Sequence, residues 1–254
     1  MQPHEKIGAA IAAANDAGRT ALVPFITAGY PDPATFIETL RVVAAAGDVV
    51  ELGVPFSDPM ADGMTIQRSS FTAIENGVTL KWIFEQLAAA GDTGTPLVMM
   101  SYLNPLMAFG YAELAVRARD TGVCAFIIPD LPFEESADIR AALAKEGVGL
   151  IQLVTPATPD KRLAMLAEAS RGFLYAVTIT GITGGGAGLP KGLAGYLDKV
   201  SAISALPVCA GFGIRTAADV VNVGKHVSGA IVGSALVEVL ERGEDPTSFL
   251  QGLR

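Results

Sequence analysis

Eight times along the chain a short apolar run is followed by an amphipathic segment, and few folds can absorb that order. The runs fall at 22–27, 49–52, 97–102, 125–128, 150–154, 174–178, 207–210 and 230–232. Each is too short for a helix and apolar on both faces, the pattern of a strand buried in a parallel sheet. Helical periodicity fills the intervals at 33–46, 65–76, 80–90, 111–121, 136–146, 159–170, 193–204, 216–223 and 235–242. Pro33 suits an early helical position, and Gly122 and Gly147 suit left-handed caps after two of these segments. A further helix over 4–17 places Ile7, Ala10, Ile11 and Ala14 on one face. The pattern predicts an α/β chain, a (β/α)₈ TIM barrel with an extra N-terminal helix, with residues 1–254 as a single domain. An open doubly wound sheet is the alternative. It usually carries a G-x-G-x-x-G fingerprint in its first strand–helix turn, and FITAGYPDP has none.

Composition narrows the partners. With 254 residues, half of them hydrophobic, the chain can build a core without a disulfide or a structural metal. A net charge of −8 argues against nucleic acid or an anionic membrane as partner, since both require clustered Lys and Arg. Cys124 and Cys209 lie in the apolar runs CAFII and PVCAG, and read as buried free thiols in a reducing cytoplasm. The opening MQPHEKIGAA has no apolar core of a signal peptide. The uncharged stretch 93–112 is broken by Pro96, Asn104, Pro105 and Gly110 into a strand and a turn, which excludes a spanning helix.

In a barrel the chemistry belongs to the loops that follow the strands. The first informative segment is VVELGVPFSDPMADG, residues 49–63. Glu51 is flanked by Val50 and Leu52, so it points opposite to them, into the barrel or toward the helices. A buried carboxylate needs a partner or a raised pKa, so Glu51 reads equally as a core ion-pair member or as a general acid/base. Asp58 and Asp62, in a loop rich in Pro and Gly, each read alone as turn formers. TITGITGGGAG (178–188) offers backbone N–H groups with little bulk, as a phosphate cradle or a mobile lid. AGFGIRT (210–216) and VGSA (232–235) each lead glycines into a helix. Glycines at all three places match the recurrent barrel phosphate site, which predicts a phosphorylated substrate held by backbone amides rather than by Lys or Arg.

Absences narrow the reaction. None of the seven lysines lies in a strand run, which disfavours a Schiff base. His4 falls in the first helix and His226 at a helix end, where a cation suits the dipole, so no histidine metal site is expected. Neither a G-x-S-x-G elbow nor a Cys–His pair occurs. Carboxylate acid–base chemistry on a phosphate ester remains.

ELGVPFSDPMADG resembles the signature of the tryptophan synthase alpha subunit family, and VPFITAGYPD, MSYLNP, IIPDLPFEES, GITG, AGFGI and GSA follow in the family's order along essentially the whole chain. The first motif is long and specific, whereas the others are short. The resemblance implies a (β/α)₈ barrel that cleaves indole-3-glycerol phosphate to indole and glyceraldehyde 3-phosphate. It implies no cofactor in this chain and no metal. The implied partner is a pyridoxal-phosphate-dependent beta subunit, in an alpha2beta2 heterotetramer, which receives indole through a tunnel. It matches Glu51 to the general acid/base and Asp62 to a second catalytic carboxylate. Phosphate contacts carry over to Gly184, Gly213, Gly233 and Ser234, and a lid threonine to Thr183. The indole pocket carries over to Phe25, Met100, Ile127, Pro129, Leu153, Tyr175 and Phe212, with ordinary barrel packing as the alternative for some of them. Asp58, Pro59, Asn104 and Pro132 match positions near the beta-subunit contact. The chain departs from the family in its run of three glycines, Gly184–Gly186, in Ile182 where Val is usual, and in Pro129 where small residues are common.

Overall fold

The computed structural model describes residues 1–178, 189, 192–211 and 213–254. Eight parallel strands close into a barrel in sequence order: β1 (Ala21–Thr27), β2 (Val50–Gly53), β3 (Leu97–Met100), β4 (Val123–Ile127), β5 (Gly149–Val154), β6 (Leu174–Val177), β7 (Val208–Gly211) and β8 (Gly229–Val232). β8 returns to pair with β1, from Ala21 opposite Gly229 to Pro24 opposite Val232. Each strand coincides with an expected apolar run to within two residues at either end.

The helices are α1 (Pro3–Asp16), α2 (Phe36–Ala46), α3 (Met64–Glu75), α4 (Leu80–Ala90), α5 (Leu103–Phe109), α6 (Tyr111–Asp120), α7 (Ala137–Lys145), α8 (Asp160–Ala169), α9 (Leu193–Ile203), α10 (Ala217–Gly224), α11 (Ser234–Glu241) and α12 (Pro246–Gln251). Short 3₁₀ turns occupy Pro33–Thr35 and Phe133–Glu135. Gly122 and Gly147 take positive φ, 79° and 70°, just beyond the ends of α6 and α7.

Two helices lie outside the sequence reading. α5 forms where a turn was expected after β3. Pro105 is its third residue, inside the first turn, where a backbone N–H has no helical partner to lose. The Leu103 N–H there is taken by the Asp130 carboxylate, at 2.9 Å, from the loop after β4. α12 is capped by Asp245, which accepts from Thr247 and Ser248 N–H at 3.0 and 3.1 Å, with Pro246 at its first position. The local signal for it in the sequence is DPTS, an Asp cap followed by Pro.

Buried side chains segregate into two layers. One lies between sheet and helices and includes Leu22, Leu52, Phe84, Phe126 and Leu236. The other fills the barrel interior with Val23, Val98, Ala125, Ile151 and Cys209. α1 closes the N-terminal end of the barrel: Ile7, Ile11 and Ala14 join this interior cluster. Cys124 and Cys209 are free and buried. Both histidines lie at helix termini and bind their neighbours. His4 Nδ1 is 2.8 Å from the Gly147 carbonyl, and His226 Nδ1, just beyond α10, is 2.6 Å from Asp198 of α9. His226 therefore ties the end of α10 to the middle of α9. Among the described residues no helix is long and apolar enough to cross a membrane.

Candidate active site

The sheet register fixes where Glu51 stands. It pairs with Phe25 on β1 and Val98 on β3, both interior residues, while its neighbours Val50 and Leu52 pack outward under the helices. Alternation therefore turns Glu51 into the barrel, which settles the two orientations the sequence left open. It is 1% exposed, and its Oε2 has no hydrogen-bond partner among the described residues. Desolvation, with the negative charge of Asp62 second, pushes its pKa up to about 8. A group in that state holds its proton at neutral pH and can deliver it.

Asp62 follows on the loop between β2 and α3. This loop has no regular structure, yet it is firmly tied down. The Tyr102 hydroxyl accepts the Ala61 N–H at 2.8 Å, and the Phe56 ring stacks on Tyr102 with centroids 4.9 Å apart. Gln67 Nε2 donates to the Asp62 carbonyl at 2.8 Å, and the Asp62 N–H reaches the Pro59 carbonyl at 3.2 Å. Burial raises the Asp62 carboxyl to about 6, against the opposing hydrogen bond from Tyr102. The two carboxyl groups thus differ at neutral pH: Glu51 is protonated and Asp62 ionised. Tyr102 went unnoticed in the sequence, because a tyrosine after an apolar strand carries no local signature.

Both carboxyl groups line a cavity of about 230 Å³ at the C-terminal mouth of the barrel. Phe25, Met100, Pro129, Leu153 and Tyr175 form much of its apolar wall. Ile66, Val177 and Ile231 add to that wall without having been expected. Ile127 is fully buried in the barrel-interior cluster and is not among the residues that line the cavity. Gly211 is required for the wall itself. A Cβ there would sit 2.5 Å from the Tyr175 hydroxyl oxygen, so the ring could not take its place.

The loops after β7 and β8 bring Gly213, Gly233 and Ser234 to the same cavity. Gly213 has φ of 66°, a left-handed conformation that favours glycine, and a Cβ there or at Gly233 would enter open space. Ser234 opens α11, so that helix presents its unpaired N–H groups to the cavity. Thr183, Gly184 and Phe212, also expected at the site, lie outside the described residues. Of the positions matched to partner contact, Asp58, Asn104 and Pro132 are exposed. Pro59 is buried, so it shapes the loop rather than offering surface. Among the described residues no group of three or more His, Cys, Asp or Glu side chains converges as a metal site.

The family model for the tryptophan synthase alpha chain matches residues 11–252. A tryptophan synthase alpha chain of Nitratidesulfovibrio vulgaris is 44% identical over 240 residues, covering 94% of this chain and 93% of that one. One from a Roseiflexus species is 44% identical over 229 residues, covering 89% and 88%. Among solved structures, a Mycobacterium tuberculosis tryptophan synthase chain superposes with a TM-score of 0.90 at 32% identity, covering 97% of this chain and 96% of that one. The tryptophan synthase alpha chain of Legionella pneumophila gives 0.87 at 31% identity, covering 100% and 96%.

Proposed function

This chain belongs to the tryptophan synthase alpha chain family, enzymes of tryptophan synthesis, and from that premise we propose that it is a carbon–carbon lyase that cleaves indole-3-glycerol phosphate. The observation that carries the proposal is the pair of unlike carboxyl groups on one cavity, Glu51 raised to about 8 and Asp62 to about 6.

The chemistry needs both states. An indole ring is a poor carbanion leaving group, so C3 must be protonated before the bond to the side chain breaks. Glu51, as the neutral acid, donates to C3, and positive charge develops at the ring nitrogen. Asp62, ionised, accepts from the indole N–H and stabilises that charge. The Glu51 carboxylate then takes the proton of the hydroxyl on the adjacent glycerol carbon. The O–H electron pair becomes the aldehyde C=O, the C–C pair returns to the ring, and the products are indole and glyceraldehyde 3-phosphate. Glu51 ends protonated, as it began. The phosphate rests on the backbone of Gly213, Gly233 and Ser234, which supports a site selective for anions without Lys or Arg.

The chain supplies these steps from its own side chains and backbone, with no cofactor of its own. We place a pyridoxal-phosphate-bearing beta subunit on the rim formed by Asp58, Asn104 and Pro132, as the acceptor of indole in an alpha2beta2 assembly. Exposed Met60, Met64 and Met107, at 83%, 76% and 56%, offer adaptable apolar surface on the same loop and on neighbouring helices. The buried free thiols suit a reducing compartment, the cytoplasm. The test is product stoichiometry. Purified chain given indole-3-glycerol phosphate, without pyridoxal phosphate, releases indole and glyceraldehyde 3-phosphate in equal amounts. Release of neither product refutes the lyase.

A further inference from the structure

The phosphate loops pose a mechanical problem. A glycine turn has no side chain with which to brace itself, and Gly213 must keep its place relative to the first turn of α11 if both are to face one anion. The structure holds the turn from two sides. Ile214, 1% exposed, anchors it in the layer under the helices. Asp219 accepts the Arg215 and Thr216 N–H groups at 3.0 and 2.9 Å, which fixes the far side at the start of α10. The Asp219 bonds stay within the turn and α10.

Arg215 reaches across to α11. Its Nη1 and Nη2 donate to both oxygens of Glu238, at 2.7 and 3.0 Å. Glu238 lies four residues after Ser234, on the same face of α11 and one turn from the anion end. Its carboxylate also accepts the Thr65 hydroxyl at 3.3 Å, and Thr65 is in the first turn of α3, three residues after Asp62. One turn further along both helices Arg68 makes a second two-pronged bond, to Glu241, at 2.7 and 2.6 Å. The Arg215–Glu238 pair is bidentate, with the Glu238 side chain 24% and the Arg215 side chain 56% exposed, so it is a well-formed but solvent-facing ion pair.

We infer that Glu238 is a positioning residue of the phosphate site: its paired bond with Arg215 holds the Gly213 turn against the first turn of α11. The inference rests on the phosphate reading of Gly213, Gly233 and Ser234. It makes no contact between Glu238 and substrate. The consequence is selective: affinity for the phosphate-bearing half of the substrate depends on Glu238, and affinity for indole does not.

Titration calorimetry with glycerol 3-phosphate and with indole, separately, distinguishes the two. Glu238→Ala weakens glycerol 3-phosphate roughly fivefold, the scale of a well-formed exposed ion pair, and leaves indole affinity unchanged. Arg215→Ala produces the same loss, and Arg215→Ala/Glu238→Ala no more than either alone. Unchanged glycerol 3-phosphate affinity, equal losses for both ligands, or additive losses in the double variant overturn the inference. Gly233→Asp is the control for the underlying reading. If the parent binds glycerol 3-phosphate and Gly233→Asp abolishes it while Glu238→Ala has no effect, only the positioning role fails. If Gly233→Asp binds as the parent does, the phosphate site is misplaced and the inference falls with it.

Discussion

At the scale of single residues, the site is governed by what burial does to two acids. Glu51 favours its neutral form in the folded chain and its ionised form once unfolded. Between the ordinary carboxylate range and about pH 8 the unfolded state therefore binds fewer protons, so stability falls as pH rises through that window and levels off above it. Glu51→Gln removes the titration. Measured by denaturant unfolding, the variant gains on the parent between pH 5 and pH 9 by on the order of 3 kcal/mol, and a constant difference across that range contradicts the assignment. The same pair shapes catalysis. The proposed mechanism requires Asp62 ionised and Glu51 protonated, so it predicts that kcat/KM falls as pH drops through about 6 and again as it rises through about 8. These limbs belong to the coupled pair. Tyr102→Phe removes the hydroxyl that holds the Asp62 pKa down and moves the acidic limb upward; a profile identical to the parent's would separate Tyr102 from the titration.

At the scale of elements, the barrel depends on a closed floor as well as an open mouth. α1 supplies it with Ile7 and Ile11, both fully buried in the interior cluster. Ile11→Ala costs about 2–4 kcal/mol in unfolding free energy and leaves KM unchanged, because the cavity lies at the other end of the strands. Strands and most helices were legible because their burial repeats along the chain: each strand is apolar on both faces, and that pattern survives without knowledge of neighbours. α5 was not legible, because the group that accepts its first N–H, Asp130, comes from a different loop and Pro105 read as a breaker. The site was legible in part. Glu51 stood out as an acid in an apolar strand, and Gly213 and Gly233, legible as glycines after strands, reach the same cavity. Tyr102, Arg215 and Glu238 act through contacts between loops and helices distant in sequence, and no local pattern announces them. Ile127 packs in the interior, and in the sequence an inward strand residue reads alike whether it lines the cavity or packs below it.

At the scale of the whole molecule, the loop that carries Asp62 also carries exposed surface at Asp58. Asp58, exposed and hydrogen-bonded to Ser57 at 2.6 Å, lies four residues before Asp62 on the same segment. A partner seated there acts on the geometry of Asp62 directly, so the isolated chain turns over weakly and the lyase rate rises when a beta subunit is added. Asp58→Ala lowers this activation more than it lowers basal turnover. Steady-state indole production with and without the partner reads both quantities, and equal rates in a complex confirmed by sedimentation would remove the coupling while leaving the lyase in place. All of it depends on one proton carried by Glu51. The most direct measurement is indole release from indole-3-glycerol phosphate by the parent and by Glu51→Gln, with substrate affinity measured in parallel. The account predicts a folded variant that binds substrate and releases indole about 10²–10⁴-fold more slowly. A correctly folded Glu51→Gln chain that turns over at the parent rate would contradict it.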